Sequence, residues 1–357
     1  MSAALAALSA VGALAASVLL SLIAARLAGQ RQKWTAVGLQ GGIAILVTAA
    51  AWFTGVTGIQ VVFLAPVVAL GGLFGLVVTL PHRERLGGEI AGMIFAGVLT
   101  AIVYVPLVSI VFTLWYDPFA TGIGFVDFGA ALPTGVAAGS AALAVVLISR
   151  REPRPIALPV AWPALVLPTI ALVAAWLAWL MGLELALDRL TPLIVGNGIL
   201  MAVSGSLAWA LVERARFRTN TVAGTSLGAL AGLAAATPST GYLLPGLAIV
   251  TALVAGGVCA LAAGRTSLTA SRRIATVLML GGATSLLLLG ILAKDVSFIY
   301  TGQPELFFGQ AFSILLAGVG GFGVGMLVWL AVRRVGQPRR QHGRRSARDA
   351  SRRSPVA

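Results

Sequence analysis

The 357-residue sequence predicts an all-α polytopic membrane protein of about 11 transmembrane helices, N-terminus outside and C-terminus inside. Three observations carry this expectation. Apolar residues make up 59% of the chain and charged residues 10%, with a mean hydropathy of +0.97, whereas a soluble domain carries roughly 25% charge. Eleven apolar runs are long enough to cross a bilayer at ~1.5 Å per helical residue. Placing the N-terminus outside puts 23 of the 25 Lys and Arg residues on the inner side, with only Arg189 and Lys294 on the other. Losing one span would invert every later loop and destroy that bias.

The runs fall at about 3–25, 36–56, 60–80, 90–115, 126–149, 157–181, 191–212, 221–238, 242–263, 274–293 and 307–332. The first has no positive charge before it and is longer than a signal-peptide core, so it reads as a retained span. The inner connections are 26–33, 82–89, 150–154, 213–218 and 265–273, each holding arginine or lysine. Residues 1–332 thus form one transmembrane domain. Residues 333–357 form an Arg-rich tail containing Pro, Ser and Gly, expected to be disordered, cytoplasmic and drawn to anionic lipid headgroups.

Several classes of function are disfavoured. The net charge of +14 sits between apolar runs, where it sets orientation, so no nucleic-acid partner is expected. A single cysteine, Cys259, inside an apolar run offers neither a disulfide framework nor a thiolate metal site and reads as a small buried hydrophobe. No Ser/His/Asp set, metal cluster or phosphate loop occurs in a soluble-facing segment, so neither an enzyme nor a bound cofactor is expected.

Two segments carry the most specific patterns. The first opens with Asp127-Phe128-Gly129, continues through Pro133, Gly135 and Gly139, and stops at Arg150-Arg151. The second contains Gly224, Gly228 and Gly232, four residues apart, then Thr237-Pro238-Ser239-Thr240-Gly241-Tyr242. That spacing clears one helix face of side chains so that another helix can pack closely. Thr237-Pro238 with Gly241 predicts a turn. Asp127 stands where a carboxylate caps the free N–H groups of a helix start, a reading preferred to a direct cation ligand.

These segments resemble the fifth, eighth and ninth spans of the ammonium transporter (Amt/Mep/Rh) family. The resemblance implies two five-helix halves of inverted orientation plus a last long helix, a homotrimer in the plasma membrane, and a solute path for ammonia or ammonium. Gln60-Val61-Val62-Phe63 resembles the family segment that places one gate phenylalanine, here Phe63. Tyr104-Val105-Pro106 leads to Phe112, at the position of a tryptophan that holds the cation outside the gate. The family's two pore histidines fall on Gly135, eight residues after Asp127, and on Leu278; His82 and His342, the only histidines, lie in an inner loop and the tail. Trp176-Leu177-Ala178-Trp179 aligns Gly182 with the second gate phenylalanine and Ala186 with a cation-binding serine. Glu184 and Asp188, near the outer end of this run, read as a solvated interface pair in preference to a cation site.

The residues therefore suggest a passive, apolar, histidine-free path for ammonia or a similar small neutral solute. With no ionisable group deep in any span, there is no relay for a proton- or sodium-driven cycle. The alternatives are a non-transporting relative serving as a membrane sensor or interaction partner, and an unrelated permease.

Overall fold

The structure, a computed structural model, describes residues 3–29, 34–54, 86–116, 124–148, 161–264 and 268–332. The expected span at 60–80, with Phe63, and the tail at 333–357 lie outside the described residues.

Ten of the expected spans are helical. In chain order they are α1 (Ala3–Leu27), α2 (Trp34–Phe53), α3 (86–116), α4 (Leu132–Ile148), α5 (Trp162–Leu183), α6 (Thr191–Phe217), α7 (Val222–Ser239), α8 (Pro245–Ala263) and α9 (Ala270–Leu292). A single turn, α10 (Phe298–Thr301), precedes the last long helix, α11 (Glu305–Val332). By length and hydropathy seven of these helices qualify alone as membrane spans, and Leu132–Ile148 and Val37–Ala51 are shorter apolar helices. The 25 residues of α1 reach about 37 Å, enough to cross a ~30 Å hydrocarbon layer.

Helix ends follow local chemistry. Proline stands in the first turn of α5, α6 and α8, where its missing N–H has no helical partner to lose. Thr221 and Thr269 cap α7 and α9, their hydroxyls accepting from the Gly224 and Arg272 N–H groups at 2.9 and 3.3 Å. Arg218 ends α6 in the left-handed region at φ 56°.

Two spans are not uniform α-helix. Thr100–Tyr104 within α3 and Leu132–Ala137 at the head of α4 are π-helical. Pro106 follows the first and Pro133 lies in the second. A proline cannot donate to the preceding turn, and the wider π turn is one way to relieve its ring.

The contacts follow the expected doubling. Helices at matching places in the two halves touch, α1 with α5 and α4 with α9, while α2 packs on α3 as α6 packs on α8. Each half also carries a carboxamide in its second helix, Gln40 in α2 and Asn197 in α6. Both are fully buried carboxamides.

The stripe of glycines on α7 does what its spacing requires. A Cβ on Gly228 would stand 2.7 Å from the Gly205 carbonyl oxygen, and one on Gly232 2.9 Å from the Ala202 Cα, so α6 and α7 meet backbone to backbone. A Cβ on Gly256 of α8 would stand 2.7 Å from the same Gly205 carbonyl oxygen. Helix α4 is wedged similarly. A Cβ on Gly139 would lie 2.7 Å from the Ala275 carbonyl of α9, and one on Gly325 of α11 2.7 Å from the Ala141 Cα.

One expectation is corrected. Thr237 and Pro238 remain helical, and the chain turns over residues 240–243. Proline in the last turn forfeits the helix bond to Ala234 O, and the carbonyls on either side of it accept from hydroxyls. Thr237 Oγ1 donates to Leu233 O at 2.9 Å, while Ser239 Oγ and Ser285 Oγ donate to Ala235 O at 2.7 and 2.6 Å.

At the opposite end of α7 lies Glu213, buried to 8% exposure. Its carboxylate accepts from Thr221 N–H at 2.9 Å, Thr221 Oγ1 at 3.0 Å and Trp209 Nε1 at 3.2 Å. Gly224 is required beside it, because any Cβ there would overlap the carboxylate. Glu213→Ala strands the Thr221 N–H and the Trp209 indole, and is expected to cost about 2–4 kcal/mol. Thermal unfolding in detergent should show the loss, with Glu213→Gln recovering part of it.

Candidate functional site

The segment before α4 is held from three sides. Asp127 is 1% exposed. Its Oδ1 accepts from Ala131 N–H at 2.7 Å and its Oδ2 from Leu132 N–H at 2.8 Å, so each carboxylate oxygen satisfies one free donor of the helix start. The chain makes room by turning at Phe128-Gly129 and placing Ala130 at φ 59°, where residues other than glycine are uncommon. The expected helix start at 126 therefore moves to 132, and Asp127 caps across four and five residues instead of two or three.

Neighbouring helices fix this turn. Phe128 N–H donates to Pro238 O at 3.2 Å. A Cβ on Gly129 would stand 2.5 Å from Thr237 O, which leaves only glycine possible. From α11, Gln310 Nε2 donates to Val126 O at 2.6 Å. From α5, Trp176 Nε1 donates to Thr237 Oγ1 at 3.0 Å, and the Trp176 and Trp179 rings meet edge-on at 5.3 Å. The Phe128 ring lies over Gly241, where a Cβ would stand 3.4 Å from it. Sequence reasoning missed Gln310; its one signal is a lone carboxamide inside an otherwise apolar run.

One turn deeper, the two positions matched to histidines come together. A Cβ on Gly135 would stand 3.1 Å from the Leu278 carbonyl oxygen and 3.8 Å from the Gly282 Cα. Leu278 is 3% exposed. The α4–α9 contact at this depth is hydrocarbon and main chain, with no group that titrates.

The other candidates are elsewhere. Gly182 sits where α5 crosses α1, its missing Cβ 2.5 Å from Ser9 N and 2.6 Å from Leu5 O, and Ser9 Oγ donates to Trp179 O at 3.1 Å. Glycine is needed there for helix packing. Ala186 is exposed in the connection between α5 and α6. Phe112 lies in α3; its side chain, like all of Phe63, is outside the described residues.

In the same α5–α6 connection, Glu184 Oε2 accepts from Thr191 Oγ1 at 2.8 Å. Partial burial first, and then the neighbouring Asp188 carboxylate, raise the Glu184 carboxyl above its ordinary value. Asp188 is held below its own, chiefly by the Leu190 N–H, which donates to Oδ1 at 2.7 Å. Among the described residues no group of three or more His, Cys, Asp or Glu side chains could hold a metal ion.

Comparison with known proteins gives a consistent result. Residues 83–342 match the model of the family described as Ammonium Transporter Family. A putative ammonium transporter of Methanothermobacter thermautotrophicus is 32% identical over 172 residues, covering 48% of this chain and 41% of that protein. An ammonium transporter of Mycobacterium tuberculosis is 30% identical over 252 residues, covering 63% and 50%. The chain spans about half the length of the curated relatives it matches. Among solved structures, Saccharomyces cerevisiae Mep2 superposes with a TM-score of 0.77 at 18% identity, over 92% of this chain and 86% of that one. A sensor Amt protein superposes at 0.70 with 19% identity, over 94% and 95%. At these identities the structural likeness speaks for the fold.

Proposed function

The chain belongs to the ammonium transporter family, and from that premise we infer that this multi-pass membrane protein is a passive conductor of ammonia, or a similarly small neutral solute, without a histidine pair. The observation that carries the reading is the meeting of Gly135 and Leu278. A histidine pair there could bind or relay a proton. Glycine and leucine supply no side-chain acceptor there, so a desolvated cation would find only the Leu278 main-chain carbonyl in place of its hydration shell. Ammonium therefore leaves its proton on the entry side and crosses as ammonia.

Around this centre, the inferred path takes in Phe63 and Phe112 toward the outer side, with Asp127 as the cap that fixes the mouth. Gly182 and Ala186, aligned with a gate phenylalanine and a cation-binding serine, supply neither group, and Gly182 packs against α1 instead. The assembly is a homotrimer in the plasma membrane with the C-terminus cytoplasmic, and the Arg-rich 333–357 tail contacts anionic headgroups. No enzymatic step is part of the mechanism.

A second reading, a non-transporting relative acting as sensor or partner, draws on one observation. Gly135 and Gly139 let α4 approach the α9 main chain to near contact, which suits a packed helix pair as well as the wall of a bore.

Stopped-flow alkalinisation of proteoliposomes on addition of ammonia separates the two. The conducting reading predicts rates above those of empty liposomes and their loss in Gly135→Trp. Rates equal to empty liposomes, with folded protein in the membrane, would favour the sensor.

A further inference from the structure

Asn197 is the polar residue at the outer end of α6 and is fully buried. Both protons of its amide nitrogen are used: Nδ2 donates to Thr240 O at 2.9 Å and to Leu243 O at 2.8 Å, across the turn that follows α7. These bonds fix the amide orientation, since reversing it would turn an oxygen toward two carbonyls. The opposite atom, Oδ1, is buried with no donor.

Thr240 carries the complementary group. It too is fully buried, and its Oγ1 has no hydrogen-bond partner. Its side chain lies against the same stretch of α6, with Cγ2 3.9 Å from where a Cβ on Gly198 would stand. Where a Cβ at 198 would stand, the Leu177 side chain already packs. A buried acceptor and a buried hydroxyl on two facing segments, each costly if left unpaired, call for a partner that can bridge them.

We propose that one water molecule is bound between Asn197 and Thr240, donating to Asn197 Oδ1 and accepting from Thr240 Oγ1–H. The site is separate from the α4–α9 contact and stands whether or not the protein conducts ammonia. Its consequence is mechanical. The turn it secures is the one whose Tyr242 O accepts from Lys294 N–H at 2.9 Å and whose neighbour Pro238 O accepts from Phe128 N–H at 3.2 Å. The water thus ties α6 into the backbone links that hold the outer ends of α4, α7 and α9.

The shared chemistry, one small neutral donor–acceptor, would also suit ammonia, so the test has two solution arms. The full chain in nanodiscs is imaged at a resolution that shows ordered water, with and without ammonium chloride. The proposal expects a density peak within hydrogen-bond distance of both Asn197 Oδ1 and Thr240 Oγ1 in both arms, lost in Thr240→Val while the Nδ2 bonds to Thr240 and Leu243 persist. A peak only with ammonium chloride would identify ammonia and overturn the water assignment. An empty site beside well-ordered neighbours, or a peak that survives unchanged in Thr240→Val, would overturn it as well.

Discussion

Gly228→Leu is expected to abolish the folded protein. The new Cβ would meet the Gly205 carbonyl oxygen, the Ser206 Cα and the Trp209 Cβ, each at 2.7 Å. Overpacking costs about 1–3 kcal/mol where side chains can yield. Here two of the three atoms are main chain, and α6 cannot retreat because Gly256 of α8 holds Gly205 from another side. The cost then rivals the whole stability of a protein, about 5–15 kcal/mol. Size-exclusion chromatography in mild detergent should show aggregate in place of a monodisperse peak. Gly196→Leu, on the partner helix α6 with nothing within 4 Å of its Cβ, should elute as the parent does.

The second large effect is expected at Asp127. In Asp127→Ala the Ala131 and Leu132 N–H groups lose their acceptors in a buried setting, and Ala130 keeps its left-handed φ of 59° without the bonds that impose it. Two stranded donors cost about 2–6 kcal/mol. The cap assignment predicts that unfolding temperature and ammonia permeability fall together, and that Asp127→Asn, which keeps one acceptor, falls less far in both. A direct cation ligand would behave differently: permeability would drop while thermal stability stayed at the parent value.

How much of this was legible in the sequence depended on whether a pattern is local. Helix count and extent follow from runs of apolar residues, which is why ten spans lie where expected. The close α6–α7 approach follows from Gly224, Gly228 and Gly232, because small residues at a four-residue spacing can only clear one face. Asp127 as a cap was legible from its place before an uncharged run. Its reach to the fourth and fifth residues was not, since that depends on Ala130 adopting a left-handed conformation that its side chain does not advertise.

Features fixed by partners remote in sequence were also hidden. Gly182 aligns with a gate residue, yet the structure gives it a packing role because α1 passes directly over it. Gln310 and Asn197 each reach a carbonyl on another element, Val126 O and Thr240 O respectively. A lone carboxamide in an apolar run signals such a tie without naming its partner. Pro238 misled in the other direction. Proline and glycine nearby read as a turn, but the helix runs on through Pro238 to Ser239.

In the proposed mechanism solute crosses between α4 and α9 without charge, because Gly135 and Leu278 put no titratable side chain there. Its most direct test is to record, in the same proteoliposomes, ammonia-driven alkalinisation and the current evoked by ammonium on a solid-supported membrane. The account predicts alkalinisation faster than in empty liposomes and no ammonium-dependent current. A sustained ammonium current that scales with protein content would contradict it.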